Sequence, residues 1–303
     1  MVRTLAGVFG ALLLAGEAAA QQPTFRSEID LVSFGVTVTD RRGNFITDLR
    51  PDDFEIVEEG ARQTLRVFAR GDEHDALEMH VGLLLDTSGS MSEDLKLARS
   101  AAIKFLNMLP HAKDMTLVDF DTEVRVAKYG QADFPRMVER IRNRKPDGWT
   151  ALYDALGVYL DGAHDDKGRK ILVLYTDGGD TRSNIGFGEV MEYVRASDVT
   201  VYAVGLLDHQ PSSVKAEQRM RLQQITEATG GQAFFPFSMK EVDAAYEKIL
   251  AQIRAQYSLG YASTNEKADG QWRRVEIKVK RPDVRIQSRK GYFAPYKAAS
   301  TKQ

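Results

Sequence analysis

The sequence predicts an α/β protein in which a doubly wound, mostly parallel sheet lies between two flanking sets of β strands. Over the middle of the 303-residue chain, short apolar runs alternate with segments of helical period, as in a parallel sheet covered by helices on both faces. Before and after that region, apolar and polar residues alternate one by one, which is typical of strands with one buried face. We expect the flanks to form a smaller β domain.

The first twenty residues differ in composition from the rest of the chain. Arg3 provides a positive charge, the run LAGVFGALLLAG is apolar, and Ala18-Ala19-Ala20 is a small-residue pattern. Together these features predict a signal peptide over residues 1–20, because the apolar run is shorter than the ~20 residues that cross a bilayer. We therefore expect the mature chain to be exported, to the periplasm or outside the cell, with no membrane span; an uncleaved anchor is the alternative.

Composition excludes several classes of function. The chain has no cysteine and a formal net charge of −2, so it has no disulfides, thiolate metal sites or thiol catalysis. The nearly balanced charges give no indication of nucleic-acid binding. The histidines lack the spacing of metal ligands, and we expect them to be structural or solvated; they are His74, His80, His111, His164 and His209.

The first flank, residues 29–68, begins with the alternating stretch VSFGVTV and a turn at DRRGN. A hairpin is predicted over FEIVEEGARQTLRVF. In the second flank, residues 257–294, Val275, Ile277 and Val279 alternate with charged residues. Neither flank has enough strands to bury its own apolar face, so we expect the two to pair into one domain. Residues 295–303 are predicted to be a disordered tail.

Residues 77–256 carry the strand and helix alternation itself. The runs HVGLLLD, MTLVDFD, KILVLYTD and VTVYAVG are short and rich in Val, Leu and Ile, as buried parallel strands are. Between them, apolar residues recur at spacings of three and four over 95–109, 137–141 and 152–160, which predicts amphipathic helices.

Polar residues follow three of these segments at the predicted strand ends. Asp86, Ser88 and Ser90 come directly after three leucines, Thr150 opens a predicted helix, and Asp177 ends KILVLYTD. In a parallel sheet the carboxyl ends of the strands share one edge, so these side chains are expected to converge. Their oxygen atoms are the ligands that a hard cation prefers, which predicts a Mg²⁺ site, with Mn²⁺ or Ca²⁺ as substitutes.

Each of these segments also has a purely structural interpretation. Ser90 with Glu93 has the spacing of a helix capping box, Thr150 alone is a typical helix N-cap, and Thr176-Asp177-Gly178 is a typical turn after a strand. Asp154, one helical turn beyond Thr150, is either a support for the loop or a solvated residue. The order and placement of the segments together favour the metal site.

The motif Asp86-x-Ser88-x-Ser90, followed by Thr150 and Asp177, resembles the metal-ion-dependent adhesion site of von Willebrand factor type A (VWA) domains. The resemblance covers residues 77–256. The flanking sequences VTDRRGNFITDLRPDDFEIVEEGARQ, YSLGYAS and SRKGYFAP are similar to those of a bacterial branch of exported VWA proteins, of the acidobacterial type. That branch implies no reaction.

The resemblance implies a non-catalytic protein-binding module whose bound cation takes a Glu or Asp of a partner as a further ligand. The hydroxyl ligands support this expectation, because they are neutral and leave the cation with residual positive charge. Two alternatives remain: a metal-dependent hydrolase acting on phosphate or acyl substrates, and a scaffold whose metal is purely structural. The hydrolase has no candidate general base in the three motif segments.

Overall fold

A computed structural model describes residues 31–71, 77–109 and 112–296. The predicted signal peptide, residues 1–20, and residues 297–303 of the predicted tail lie outside the described residues. Among the described residues, no helix combines the length and the apolar character needed to cross a membrane.

The described chain contains fourteen strands and six α-helices, and three short 3-10 turns. The strands are β1 (Leu31–Asp40), β2 (Phe54–Glu58), β3 (Ala61–Gln63), β4 (Leu65–Arg70), β5 (Met79–Asp86), β6 (Asp114–Phe120), β7 (Val124–Gly130), β8 (Arg169–Thr176), β9 (Thr200–Gly205), β10 (Ala233–Phe234), β11 (Tyr257–Ala262), β12 (Trp272–Val279), β13 (Val284–Gln287) and β14 (Gly291–Phe293). The helices are α1 (Leu95–Asn107), α2 (Phe134–Asn143), α3 (Leu152–Gly162), α4 (Phe187–Ala196), α5 (Ser212–Ala228) and α6 (Met239–Ala255).

The central sheet has six strands in the order β10-β9-β8-β5-β6-β7. All neighbours run parallel except β7, which pairs with β6 in antiparallel orientation. Leu83 and Leu85 of β5 pack with α1, α2 and α6, whereas Leu84 packs with α3, α4 and α5. Both faces are therefore covered by helices, and the predicted doubly wound, mostly parallel sheet is confirmed.

The flanks form two four-stranded antiparallel sheets, in the orders β13-β1-β11-β4 and β14-β12-β2-β3. Each sheet combines strands from before and after the α/β region: β1 pairs with β11 and β13, and β2 pairs with β12. Phe34 and Tyr257 of the first sheet share one buried cluster with Ile56 and Val275 of the second. The prediction that the two flanks build one smaller β domain is confirmed.

The chain enters and leaves the α/β region through neighbouring strands. Arg70, the last residue of β4, pairs directly with Tyr257, the first residue of β11. The α/β region is thus inserted at one point of the first flanking sheet.

Arg289 connects the flanking sheets to the α/β region. It is buried, it donates hydrogen bonds to the carbonyl oxygens of Ser197 (3.0 Å) and Ser33, and its guanidinium lies 4.5 Å from the ring centroid of Phe34. Ser197 follows α4, whereas Ser33 and Phe34 belong to β1. One buried cation therefore fixes the two parts of the molecule to each other.

Candidate functional site

Two neighbouring strands of the central sheet deliver the predicted carboxylates to the same edge. β5 ends at Asp86, β8 ends at Thr176 with Asp177 directly after it, and the two strands are paired in register up to Leu85 and Tyr175. Because the strands run parallel, both carboxylates lie at their carboxyl ends. This is where ligands bind in open α/β sheets.

The Asp86 carboxylate is fully buried and receives three hydrogen bonds from neutral groups. The backbone N–H and the hydroxyl of Ser88 donate to Oδ1 at 2.9 and 2.6 Å, and the Thr176 hydroxyl donates to Oδ2 at 2.6 Å. The Ser88 and Ser90 hydroxyl oxygens lie 3.1 Å apart. The structure therefore brings the carboxylate and both serine hydroxyls of the first motif together.

Asp177 is also buried, and its carboxylate is held from two sides. The backbone N–H of Gly179 donates to Oδ1 at 3.0 Å, and the side-chain amide of Gln210 donates to Oδ2 at 2.8 Å. Thr176 and Gln210 were not among the predicted site residues. Thr176 adjoins Asp177 in sequence, but Gln210 lies in the loop after β9, and no local pattern marks it.

The backbone of Thr150 is held by hydrogen bonds to Thr181 and Arg182, in the loop that follows Asp177. Its N–H donates to the Thr181 hydroxyl at 3.0 Å, and its carbonyl accepts from the backbone N–H of Thr181 and Arg182. The preceding residues contact the Asp86 loop: Asp147 N–H donates to Thr87 O (3.0 Å), and Gly89 N–H donates to Gly148 O (3.1 Å). All three predicted loops are thus joined to one another.

The two capping interpretations are wrong. Helix α1 begins at Leu95, and Ser90 lies inside a separate 3-10 turn, Gly89–Met91, so it does not cap α1. The residue before α3 is Ala151 rather than Thr150, and it makes no side-chain cap. The turn after β8 is present, since Gly178 N–H donates to the Thr176 hydroxyl. The motif hydroxyls of Ser90 and Thr150 are therefore not used as helix caps.

Asp154 supports the loop that follows Asp177. Its carboxylate accepts hydrogen bonds from the backbone and side-chain amides of Asn184, at 2.8 to 3.0 Å, and from the backbone N–H of Ile185 at 3.3 Å. Of the two interpretations of Asp154, support of the loop agrees with these contacts.

Burial raises the pKa of Asp86 to about 7, and the charge of Asp177 adds to the effect. The hydrogen bonds from Ser88 and Thr176 oppose this rise without cancelling it. Among the described residues, no Lys, Arg or His forms an ion pair with either carboxylate. Two neighbouring buried carboxylates without a positive partner are unfavourable unless a proton or a cation joins them. A divalent cation therefore fits this residue set, and it would be held by Asp86, Ser88, Ser90, Thr150 and Asp177.

The rim of the site carries a histidine between two acids. His209 Nδ1 lies 2.9 Å from a Glu93 carboxylate oxygen, and its Nε2 lies 3.6 Å from one of Asp94. Burial raises the pKa of Asp94, and the charges of Asp177 and Asp208 contribute to this rise, whereas His209 opposes it. His209 precedes Gln210 in the loop after β9. This loop therefore supplies both the amide that holds the Asp177 carboxylate and an imidazole at the rim.

A second group with metal-ligand geometry lies at the opposite, amino-terminal end of the strands. Ligand atoms of His80, Asp114 and Asp166 lie within 4.8 Å of one another. However, the Lys128 ammonium lies 3.1 Å from Asp114 Oδ2 and 2.8 Å from Asp166 Oδ1, and His80 Nε2 lies 3.0 Å from the carbonyl oxygen of Lys167. Lys128 therefore pairs with both acids, and both ring nitrogens of His80 have partners within the chain, Asp114 Oδ1 at 2.9 Å and the Lys167 carbonyl oxygen, as in a structural histidine.

Comparison with known families identifies the class of the protein. A family model for the von Willebrand factor type A domain matches residues 80–252, more than half of the 303-residue chain. The chain therefore belongs to the von Willebrand factor type A domain family, as the sequence motif predicts. No curated protein sequence matches the chain.

Several solved structures are similar in fold. A von Willebrand factor type A protein from Catenulispora acidiphila is 12% identical, with 90% of this chain and 75% of that chain covered and a TM-score of 0.49. The von Willebrand factor domain of the type V pili tip protein Mfa5 from Porphyromonas gingivalis is 13% identical over 58% and 96% of the two chains, with a TM-score of 0.48.

A D319A mutant of the PilB minor pilin from Streptococcus sanguinis is 15% identical, with a TM-score of 0.46. That match covers 59% of this chain and 62% of the pilin, so the chain spans less than two thirds of the pilin's length.

Proposed function

We propose that the protein is an exported, non-catalytic binding module that uses a divalent cation at the edge of its central sheet to bind a carboxylate of a partner protein. The observation that carries the proposal is the Asp86 carboxylate, which is buried beside Asp177 without a positively charged partner among the described residues. The Ser88, Ser90 and Thr150 hydroxyls belong to the loops that are joined around it. Mg²⁺ is the expected ion, and Mn²⁺ or Ca²⁺ is expected to replace it.

The residues of the chain have distinct parts in this function. Asp86 and Asp177 supply negative charge, Ser88, Ser90 and Thr150 supply neutral oxygens, and Thr176 and Gln210 orient the carboxylates by hydrogen bonds. When bound, the cation supplies a position for an additional oxygen ligand with residual positive charge. A partner's Glu or Asp fits that position better than Gln or Asn, because an amide carries no negative charge.

The test is metal titration followed by peptide titration, both by calorimetry. The wild-type protein is expected to bind one Mg²⁺ and, only then, a Glu-containing peptide but not its Gln analogue. Asp86→Ala is expected to abolish both steps while circular dichroism shows an intact fold. Asp133→Ala is the matched control, because Asp133 is a partly exposed acid that directly precedes α2 and carries none of the proposed ligands. Peptide binding that survives a chelator and Asp86→Ala would overturn the proposal in favour of a purely structural metal.

Metal-dependent hydrolysis is the competing function, and His209 is the observation that favours it. An imidazole that contacts Glu93 at the rim is a candidate general base, which the motif segments themselves lack. Phosphate and acyl esters are therefore the substrates to test with Mg²⁺ present. Turnover that is lost in both His209→Ala and Asp86→Ala would establish the hydrolase, whereas binding without turnover agrees with the binding module.

Export is part of the proposal and rests on the composition of residues 1–20. We expect processing near Gln21, and amino-terminal sequencing of the protein from the native host measures it. Recovery of the intact amino terminus from membranes would instead establish the uncleaved anchor.

A further inference from the structure

Trp149 is a large apolar side chain at the rim of the candidate metal site. It directly precedes Thr150, and 65% of its surface is exposed. The indole therefore has little contact with the rest of the fold, although burial of a tryptophan is among the most favourable apolar contacts available to a protein.

The backbone that carries Trp149 is fixed by hydrogen bonds on both sides. The Trp149 N–H donates to the Thr122 hydroxyl at 2.9 Å, and the next two N–H groups, of Thr150 and Ala151, donate to Thr181 Oγ1 (3.0 Å) and Asp121 O (2.9 Å). On the other side, Gly148 accepts from Gly89. An exposed aromatic side chain on a fixed backbone contacts a partner at small entropic cost, which is typical of the residues that dominate binding energy at interfaces.

Most charged groups around the site have a partner within the chain. A Glu93 carboxylate oxygen lies 2.9 Å from His209 Nδ1, and an Asp208 carboxylate oxygen lies 3.7 Å from the Lys215 ammonium. Asp147 and Arg182 are exposed near the tryptophan loop and carry opposite charges. An apolar neighbour of the partner's carboxylate can pack on the exposed indole, whereas a second acid in that place would have to lose part of its hydration without a positive partner.

We propose that Trp149 is the specificity-determining contact of the site and that the partner segment carries one acidic residue next to a large apolar residue, without a second adjacent acid. The acid binds the cation and the apolar side chain packs on the exposed face of the Trp149 indole. This inference rests on the proposed metal-dependent binding, and it adds the chemistry of the recognised segment.

The experiment measures binding of four blocked hexapeptides by calorimetry in saturating Mg²⁺. They are Gly-Gly-Glu-Leu-Gly-Gly and the same peptide with Glu-Gly, Glu-Glu or Gln-Leu at its centre. We expect the Glu-Leu peptide to bind about tenfold tighter than the Glu-Gly and Glu-Glu peptides, and the Gln-Leu peptide not to bind. Trp149→Ala is expected to lower the affinity for Glu-Leu to that for Glu-Gly and to leave the Glu-Gly affinity unchanged.

Phe237→Ala is the matched control, because Phe237 is 70% exposed on the segment before α6 and carries none of the proposed ligands. It is expected to change neither affinity. A Trp272→Phe background leaves Trp149 as the one tryptophan of the chain, which has two. In that background, the Glu-Leu peptide is expected to shift the fluorescence emission of Trp149 to shorter wavelength, because the indole becomes buried.

The outcomes separate this inference from the proposed function. If Trp149→Ala weakens Glu-Leu and Glu-Gly equally, or weakens neither, the role of Trp149 is overturned while metal-dependent binding stands. If the Glu-Leu peptide binds through Trp149 in the presence of a chelator, the apolar contact stands and the proposed function fails. Absence of binding by any peptide in Mg²⁺ overturns both.

Discussion

At the scale of single residues, the burial of the Asp86 carboxylate beside Asp177 makes the metal-free site unfavourable for folding. We expect Asp86→Asn to stabilise the metal-free protein at pH 8 by up to about 4 kcal/mol, because it removes a buried charge whose pKa is raised from 3.8 to about 7. The same variant should gain no stability from Mg²⁺. Chemical unfolding with and without chelator measures both effects, and an unchanged Mg²⁺ response in the variant would contradict the assignment.

Asp86 also sets a pH dependence with a definite sign. Between pH 4 and pH 7 the unfolded chain has lost the Asp86 proton and the folded, metal-free protein retains it. The folded state therefore binds more protons, and its stability should fall as pH rises through this window. Above pH 7 Asp86 is ionised in both states and should cause no further change of stability with pH. Thermal unfolding in chelator at several pH values checks this, and Asp86→Asn should remove the effect. Because the proton competes with the cation, Mg²⁺ affinity should rise over the same window.

The sequence indicated the site residues that belong to local patterns, but not Gln210, whose hydrogen-bond partner is distant in sequence. Asp86, Ser88 and Ser90 form a local motif, and Thr150 and Asp177 open or end predicted elements, so sequence alone was enough to propose them. Gln210 contacts Asp177 from 33 residues away. Glu58 shows the same limit, because it is a buried acid in a strand whose hydrogen-bond donors Tyr261 and Tyr292 lie more than 200 residues away. Periodicity carries no information about such partners.

At the scale of elements, the loop before α3 depends on the conformation of one glycine. Gly148 has φ of +70°, and a Cβ there would lie 2.3 Å from the Thr122 hydroxyl, which holds Trp149. We expect Gly148→Ala to cost about 1–3 kcal/mol of stability and to weaken Mg²⁺ binding at least tenfold, because the loop that carries Thr150 must shift.

Gly43→Ala is the matched control for this loop, since Gly43 has φ of +86° and open space around its Cβ position. It should lower the unfolding temperature, because of the backbone strain, and leave Mg²⁺ affinity unchanged. An equal effect of both variants on Mg²⁺ affinity would contradict the role of the loop.

Strand β7 is one of the elements that the sequence did not indicate, together with β10 and helices α4, α5 and α6. It has alternating residues, but Val126 is 48% exposed and the strand is antiparallel at the edge of an otherwise parallel sheet. The apolar runs that predicted β5, β6, β8 and β9 reflect burial on both faces. An edge strand that is joined to β6 by a short turn lacks that signal.

At the scale of the whole molecule, Arg289 is the side chain expected to couple the two flanking sheets to the α/β region. We expect Arg289→Met to lower the free energy of unfolding by about 3 kcal/mol, because the carbonyls of Ser197 and Ser33 lose a charged donor in a buried position. Arg285→Met, at an exposed position of β13, should change it by less than about 0.5 kcal/mol. Denaturant unfolding measures both; equal effects would contradict the coupling.

The general architecture was predictable because each flank has too few strands to bury its apolar face. The order of the strands was not predictable, because the alternation in VSFGVTV identifies a strand without identifying its neighbours. The first sheet alternates early and late strands of the chain, whereas the second joins two late strands to two early ones. Ile56 pairs with Ile277 across more than 200 residues, and only the completed core selects that pairing.

The adjacent entry and exit of the chain, at Arg70 and Tyr257, have a mechanical consequence. If a bound partner is pulled away, the force on the α/β region is transmitted to the flanking sheet through β4 and β11, which are neighbours. The force acts along both strands in the same direction. The pairing of β11 with residues Leu31 to Val36 of β1 opposes sliding of β11 along its neighbour. Strands loaded along their length strain all their hydrogen bonds together rather than opening them one at a time. Under the proposed binding function, the flanking sheets would carry such a load in shear.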